Sequence, residues 1–128
     1  MEIFNMIRGH FALLNTPLRT PSQGKEFTVD SDKTKASTWQ IVLKLSTGKP
    51  ARVYVSDILR VYTHIVSSGK QTQTQIDNFV QSHCLTNGGA SYIIPLIETF
   101  SDIRVSKEGK NVTIQFIPLP ETLKSPAE

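Results

Sequence analysis

Hydrophobic and polar positions follow two different periods along this 128-residue chain, and the period changes at breaks rich in glycine and proline. Over Glu2–Leu14 the apolar residues fall on one stripe at helical spacing, which predicts an N-terminal helix that ends before Pro17. We expect this stripe to pack on the core, with a dimer contact as the alternative. Thr16–Ser37 is rich in turn-forming residues and is predicted to be mostly loop, with a short strand at Glu26–Val29.

A period of two replaces the helical period over Thr38–Val55. Apolar side chains alternate with polar ones on both sides of a Thr47–Pro50 turn, and this pattern predicts a β-hairpin with one buried face. Trp39 heads the apolar face, so it is predicted to be a core anchor rather than a platform for base stacking.

Helical periodicity then returns in three segments, and a second alternating segment follows them. Asn87-Gly88-Gly89 predicts a sharp turn before the third helix, because glycine adopts positive φ at little cost. Pro95 must lie in the first turn of that helix, where proline is tolerated. The predicted elements are a helix capped by Ser56 and stopped at Gly69, a helix from Thr72 or Thr74 to His83, a helix over Tyr92–Phe100 capped by Ser91, and a hairpin over Ile103–Ile117.

The amino-acid composition limits the size of the core but does not assign a function. Hydrophobic residues make up 38% of the chain, which is enough for one modest core, and the net charge of +3 favours a polyanionic partner only weakly. Cys84 is the only cysteine, so no intramolecular disulfide can form and a reducing, cytoplasmic location is expected. No apolar run approaches the ~20 residues that a membrane-spanning helix needs.

Residues of catalytic type are present but carry no recognisable spacing. His10, His64 and His83 fall on different predicted helices, and no carboxylate pair has a metal-ligand or acid–base signature. The sequence therefore predicts a protein that is not an enzyme and that uses no cofactor and no metal.

The segment Gly69–Ile117 resembles the winged-helix superfamily. The resemblance rests on two helices, then Gly-Gly-Ala-Ser-Tyr before a third, and then Ile-Arg-Val-Ser-Lys-Glu-Gly-Lys-Asn-Val-Thr-Ile as a hairpin wing. Together with the preceding Gly48-Lys49 hairpin, the arrangement is also similar to small winged-helix domains associated with prokaryotic restriction-type nucleases. That second likeness implies that DNA cutting would lie on another domain or chain.

This resemblance implies an α+β fold in which a three-helix helix-turn-helix core carries a C-terminal β-hairpin wing, preceded by an N-terminal helix and a hairpin. The expected divisions are the N-terminal helix and loop (1–37), packed on or appended to the core, the winged-helix-like domain (38–117) and a flexible tail (118–128). The implied function is non-catalytic binding of double-stranded DNA, with the third helix in the major groove and the wing on the backbone.

On this interpretation Ser91, Tyr92, Pro95, Glu98 and Thr99 point away from the core and face the groove. The third helix has no lysine or arginine, so the positive charge that phosphate binding needs must come from other segments. Arg104 is interpreted as structural. The predicted DNA-binding residues are Lys49, Arg52, Lys70, Thr72, Asn87, Ser91, Tyr92, Thr99, Lys107 and Lys110.

Two alternatives remain open. The first is a protein-interaction module, in which the apolar N-terminal helix forms a homodimer through Ile3, Ile7 and Phe11 or docks onto a nuclease domain. The second is binding of single-stranded nucleic acid through Tyr54, Tyr62 and Tyr92, although no known RNA-binding motif accompanies these residues.

Overall fold

The computed structural model describes residues 2–14, 16–21, 24–37, 39–84, 91–109 and 111–118. They form a mixed α+β fold with two antiparallel sheets, which confirms the predicted class. The helices are α1 (Glu2–Ala12), α2 (Ser31–Ala36), α3 (Val55–Ser68), α4 (Gln73–His83) and α5 (Ile93–Glu98). The strands are β1 (Leu18–Arg19), β2 (Glu26–Val29), β3 (Gln40–Leu45), β4 (Pro50–Tyr54), β5 (Lys70–Thr72), β6 (Ile103–Glu108) and β7 (Asn111–Phe116).

The first sheet has four strands in the order β1-β2-β3-β4. Its centre is the predicted hairpin, whose β3 and β4 pair antiparallel with Ile41 opposite Val53. Ile41, Leu43 and Val53 are fully buried, so the alternating pattern identified the buried face correctly.

Helix α2 lies in the segment that was predicted to be mostly loop, and that prediction is wrong for these six residues. Asp30 caps the helix, because its carboxylate accepts a hydrogen bond from the Lys33 N–H at 3.1 Å. The buried hydroxyl of Thr34 accepts a hydrogen bond from the Val42 N–H at 3.0 Å. This bond joins α2 to β3 beyond the end of β2. A contact between residues that are distant along the chain cannot be predicted from the local sequence pattern.

Trp39 is 60% exposed, so its prediction as a core anchor is wrong. Strand β3 begins one residue later, at Gln40, and the alternation of the strand does not extend back to the tryptophan. Val55 lies across from Trp39 and donates its backbone N–H to the Trp39 carbonyl at 2.9 Å. Because Val55 is fully buried, it occupies the core at this end of the hairpin.

Helices α3 and α4 follow the predicted pattern closely. Gly69 ends α3, as the sequence predicted, with φ of 81°. Its N–H donates to the Ile65 carbonyl at 2.7 Å. Thr72 caps α4 through a capping box with Gln75. At the start of α3, however, Tyr54 occupies the N-cap position without a side-chain hydrogen bond, so the predicted Ser56 cap is wrong.

The second sheet has three strands in the order β5-β7-β6. The predicted hairpin is confirmed as β6 and β7, and β5 adds a third strand on the other side of β7. Val112 and Ile114 of β7 are buried, and this face of the sheet packs against α3, α4 and α5.

A single hydrophobic core joins the two sheets and the helices. Phe11 of α1 is fully buried, and its ring lies 5.7 Å from that of Phe100, centroid to centroid. Phe27 of β2 meets Tyr92 edge-on at 5.3 Å. The N-terminal helix and β2 therefore pack directly on the segment that contains α5.

Candidate nucleic-acid interface

The outer face of the three-stranded sheet carries a polar surface, which we call the sheet face. Gln115 of β7 lies opposite Lys70 of β5 on one side and opposite Arg104 of β6 on the other. All three side chains are exposed. Since directly paired residues project to the same face of a sheet, Lys70, Gln115 and Arg104 form one row across the strands.

A second row on the sheet face consists of hydroxyl groups. Thr113 of β7 lies opposite Thr72 on β5 and opposite Ser106 on β6. The Thr72 oxygen already accepts the Gln75 N–H at 3.2 Å, but its own proton stays available for donation. Hydroxyl and amide donors of this kind commonly contact phosphate oxygens in protein–DNA complexes.

The local sequence produces this face by strict alternation in β7. Val112 and Ile114 point inward and are buried, while Thr113 and Gln115 project to the other side. Within the described part of the chain Lys70 and Arg104 make no ion pair and no side-chain hydrogen bond, so both charges are uncompensated.

The other predicted DNA-binding cations lie elsewhere. Lys107 is on β6 opposite the inward-facing Val112, and its Nζ donates to the Pro21 carbonyl at 3.2 Å. Lys49 is exposed in the turn of the first sheet. Arg52, also on that sheet, donates to Gln40 Oε1 at 3.0 Å. Predicted sites Asn87 and Lys110 lie outside the described residues.

Of the outward face that the sequence interpretation assigned to helix α5, only Glu98 is exposed, as predicted. Ile93, Ile94, Pro95, Leu96 and Ile97 are all buried, so the expectation that Pro95 faces outward is wrong. The proline does occupy the first turn, as predicted, where its missing N–H costs no helical hydrogen bond.

The ends of α5 are held by the N-terminal half of the chain. Tyr92, and not the predicted Ser91, occupies the N-cap position, and its ring packs edge-on against Phe27. The Thr99 hydroxyl donates to the Leu96 carbonyl at 2.6 Å, so His10 Nε2, 2.9 Å from the same oxygen, must be the donor in the second bond. Half-buried Tyr92 and Thr99 are therefore engaged inside the fold.

Cys84 belongs to a small polar cluster where α4 ends. The fully buried Asp57 pairs with Arg60 at 3.3 Å, and Arg60 also donates to the His83 carbonyl at 3.4 Å. Burial, together with the charge and hydrogen bond of Asp57, raises the pKa of the Cys84 thiol to about 11. The thiol therefore remains protonated at neutral pH, and this cluster has the character of a structural link between α3 and α4.

Arg104 is the residue of this surface that sequence reasoning misinterpreted. It was read as structural, yet it is exposed on the sheet face. The signal was present in the chain, since Arg104 and Ser106 alternate with Ile103 and Val105 and so must share the outer face of β6. What the sequence alone did not give was the third strand, β5, which brings Lys70 to the same row.

Comparison with protein-family models, curated proteins and solved structures gave no match for this chain. Among the described residues, no group of three His, Cys, Asp or Glu side chains is placed to hold a metal ion. No helix in the described part of the chain is both long enough and apolar enough to cross a bilayer.

Proposed function

We propose that this protein is a winged helix that binds double-stranded DNA without cleaving it, and that the sheet face is its contact surface. The connectivity supports the winged-helix part of the proposal. Residues 55–116 run helix, strand, helix, helix, strand, strand, and the first strand pairs with the last. This is the order expected for a helix-turn-helix with a hairpin wing.

The row of Lys70, Gln115 and Arg104 carries the functional part of the proposal. Neighbouring strands lie about 4.8 Å apart, so the two cations rise from positions roughly 10 Å apart. One DNA strand carries a phosphate for about every 3.4 Å of helix axis. Both cations therefore reach phosphates of one duplex at the same time, with the hydroxyl row beside them as further donors.

The proposed contacts involve the DNA backbone rather than the base edges. Helix α5 offers five buried apolar residues and the exposed carboxylate of Glu98, whereas base reading in the major groove relies on Arg, Lys, Asn or Gln. Binding should therefore be nearly independent of DNA sequence and should weaken steeply with salt. A nuclease partner, implied by the family resemblance, remains a prediction.

The test is fluorescence anisotropy of a labelled duplex at several salt concentrations. The double variant Lys70→Ala/Arg104→Ala should lower the slope of log K against log [salt] by about 1.8, which is 0.9 for each lost phosphate contact. Lys33→Ala/Lys35→Ala is the matched control, because it removes the same charge from exposed positions on α2 and should leave the slope unchanged. Absence of duplex binding by the wild type at low salt would refute the proposal.

A second variant distinguishes DNA binding on the sheet face from insertion of α5 into the major groove. If α5 entered the groove, Glu98 would be repelled by the phosphates, and Glu98→Gln would strengthen binding. With the duplex on the sheet face, Glu98→Gln should leave the affinity and the salt slope as they are in the wild type. Tighter binding by Glu98→Gln would instead indicate that α5 contacts the DNA.

Exposed apolar side chains favour homodimerisation as a second candidate function. Phe11 does not contribute to a dimer surface, because its ring is fully buried inside the chain. Met6 on α1 and Leu13, one residue past its end, are 69% and 79% exposed. The Leu13 N–H still bonds to the Gly9 carbonyl at 3.2 Å, so the two side chains, seven residues apart, lie on one side. Sedimentation velocity over a range of concentrations tests this candidate, since Met6→Lys/Leu13→Lys should dissociate such a dimer.

A further inference from the structure

An open cleft of about 570 Å³ lies between α1, α3 and the turn that follows α5. Its volume falls inside the roughly 300–1,000 Å³ of ordinary ligand sites. Met6, Ile7, Leu59 and Phe100 form apolar walls, and Tyr62 and Asp102 supply polar groups. The cleft is on a different part of the molecule from the sheet face, because none of the residues of that face line it.

The polar end of the cleft is fixed by a long-range contact. Tyr62 Oη donates to Asp102 Oδ2 at 2.5 Å across 40 residues of sequence. The Asp102 main chain is also held, since its carbonyl accepts the Ile117 N–H at 2.8 Å. The phenol of Tyr62 stays a donor at neutral pH, because burial and the hydrogen bond to Asp102 raise its pKa to about 12.

The permanent charge at the cleft is negative. Asp102 is its carboxylate, and the described residues that line it include no lysine or arginine; His10 also lines it, with its Nε2 engaged at the Thr99 hydroxyl. Tyr62 engages Oδ2, whereas Oδ1 accepts no hydrogen bond from the described part of the chain. The ring of Tyr62 packs edge-on against Phe100 at 5.6 Å, and aromatic walls add to the attraction of a cation.

We propose that this cleft binds a small amphipathic cation, with an aromatic or alicyclic body against Met6, Leu59 and Phe100 and a protonated amine on Asp102. The apolar walls take the body out of water. The amine donates to the open carboxylate oxygen. A neutral alcohol keeps the apolar contribution and a hydrogen bond to the carboxylate but loses the attraction between opposite charges, and an anion is repelled.

Isothermal titration calorimetry with three probes that share one ring system tests the proposal. The probes are 2-(2-naphthyl)ethylamine, 2-(2-naphthyl)ethanol and 2-naphthylacetate. The wild type should bind the amine about 10-fold more tightly than the alcohol, which corresponds to about 1.4 kcal/mol, because only the amine adds the attraction of a positive charge to the carboxylate. The acetate should bind most weakly. Equal affinity for amine and alcohol, or no binding of the amine, overturns the proposal.

Variants locate the site. Asp102→Asn should abolish the preference for the amine, whereas Asp32→Asn, the same change at an exposed position on α2, should retain it. If Asp102→Asn fails to fold, Met6→Arg places a cation at an exposed cleft position and should abolish amine binding. Leu13→Arg is its control, since Leu13 is exposed but does not line the cleft. Undiminished binding by Met6→Arg overturns the proposal.

Discussion

Replacing Phe11 by alanine tests whether the N-terminal helix is an integral part of the core. Phe11 is fully buried, and its ring packs on Phe100. Removing a buried phenylalanine side chain costs about 3–5 kcal/mol, which is roughly a fifth or more of the 5–15 kcal/mol that stabilises an ordinary domain. For a chain of this size each kcal/mol corresponds to roughly 3–5 °C, so Tm should fall by about 10–20 °C.

Urea and thermal unfolding followed by near-UV and far-UV circular dichroism measure this effect. Met6→Ala is the control on the same helix, because Met6 is 69% exposed and its loss should change the free energy of unfolding by no more than about 0.5 kcal/mol. Both signals should shift together in Phe11→Ala. If helical signal is lost early while the main transition keeps its midpoint, residues 1–37 are an appendage and the reasoning from a shared core fails.

Three further predictions concern a thiol and two glycines. Because the pKa of Cys84 is raised from 9.0 to about 11, iodoacetamide at pH 8 should alkylate the folded protein about 100-fold more slowly than the urea-unfolded chain; equal rates would contradict the raised pKa. Gly9→Ala should stabilise the protein by about 0.5–1 kcal/mol, because an added Cβ meets nothing within 4 Å on α1. Gly69→Ala should lower the free energy of unfolding by about 1–2 kcal/mol, because φ is +81° there. An unchanged midpoint of urea unfolding would show that the end of α3 does not require a residue with positive φ.

The elements that sequence predicted well are those with a local cause. The α4 start depends on Thr72 and Gln75, which are three residues apart and cap each other. The end of α3 depends on Gly69, and the two hairpins depend on strict alternation around short turns. In each case the residues that start, end or turn the element lie within a few positions of one another, so the element can be predicted from local sequence.

The elements that sequence predicted poorly depend on distant partners. Helix α2 is held by the bond between Thr34 and Val42, and Pro95 is buried although helical spacing placed it on an outer face. The sheet face has the same origin, because Lys70 joins Arg104 only when β5 pairs with β7. Local periodicity shows on which face of its element a side chain lies, but it does not show which other segment packs on that face.

Energetics support the proposal that DNA contacts the sheet face rather than α5. Exposing α5 to a major groove would separate Tyr92 from Phe27 and the α1 ring of Phe11 from Phe100. Each fully buried large apolar side chain contributes about 1.5–3 kcal/mol relative to exposure. A good bidentate base contact is worth about 1–3 kcal/mol, and α5 contains no Arg, Lys, Asn or Gln to make one. Insertion would therefore lose core packing without compensation. In the proposed complex, a duplex on the sheet face would meet two uncompensated cations and would require no rearrangement of the fold.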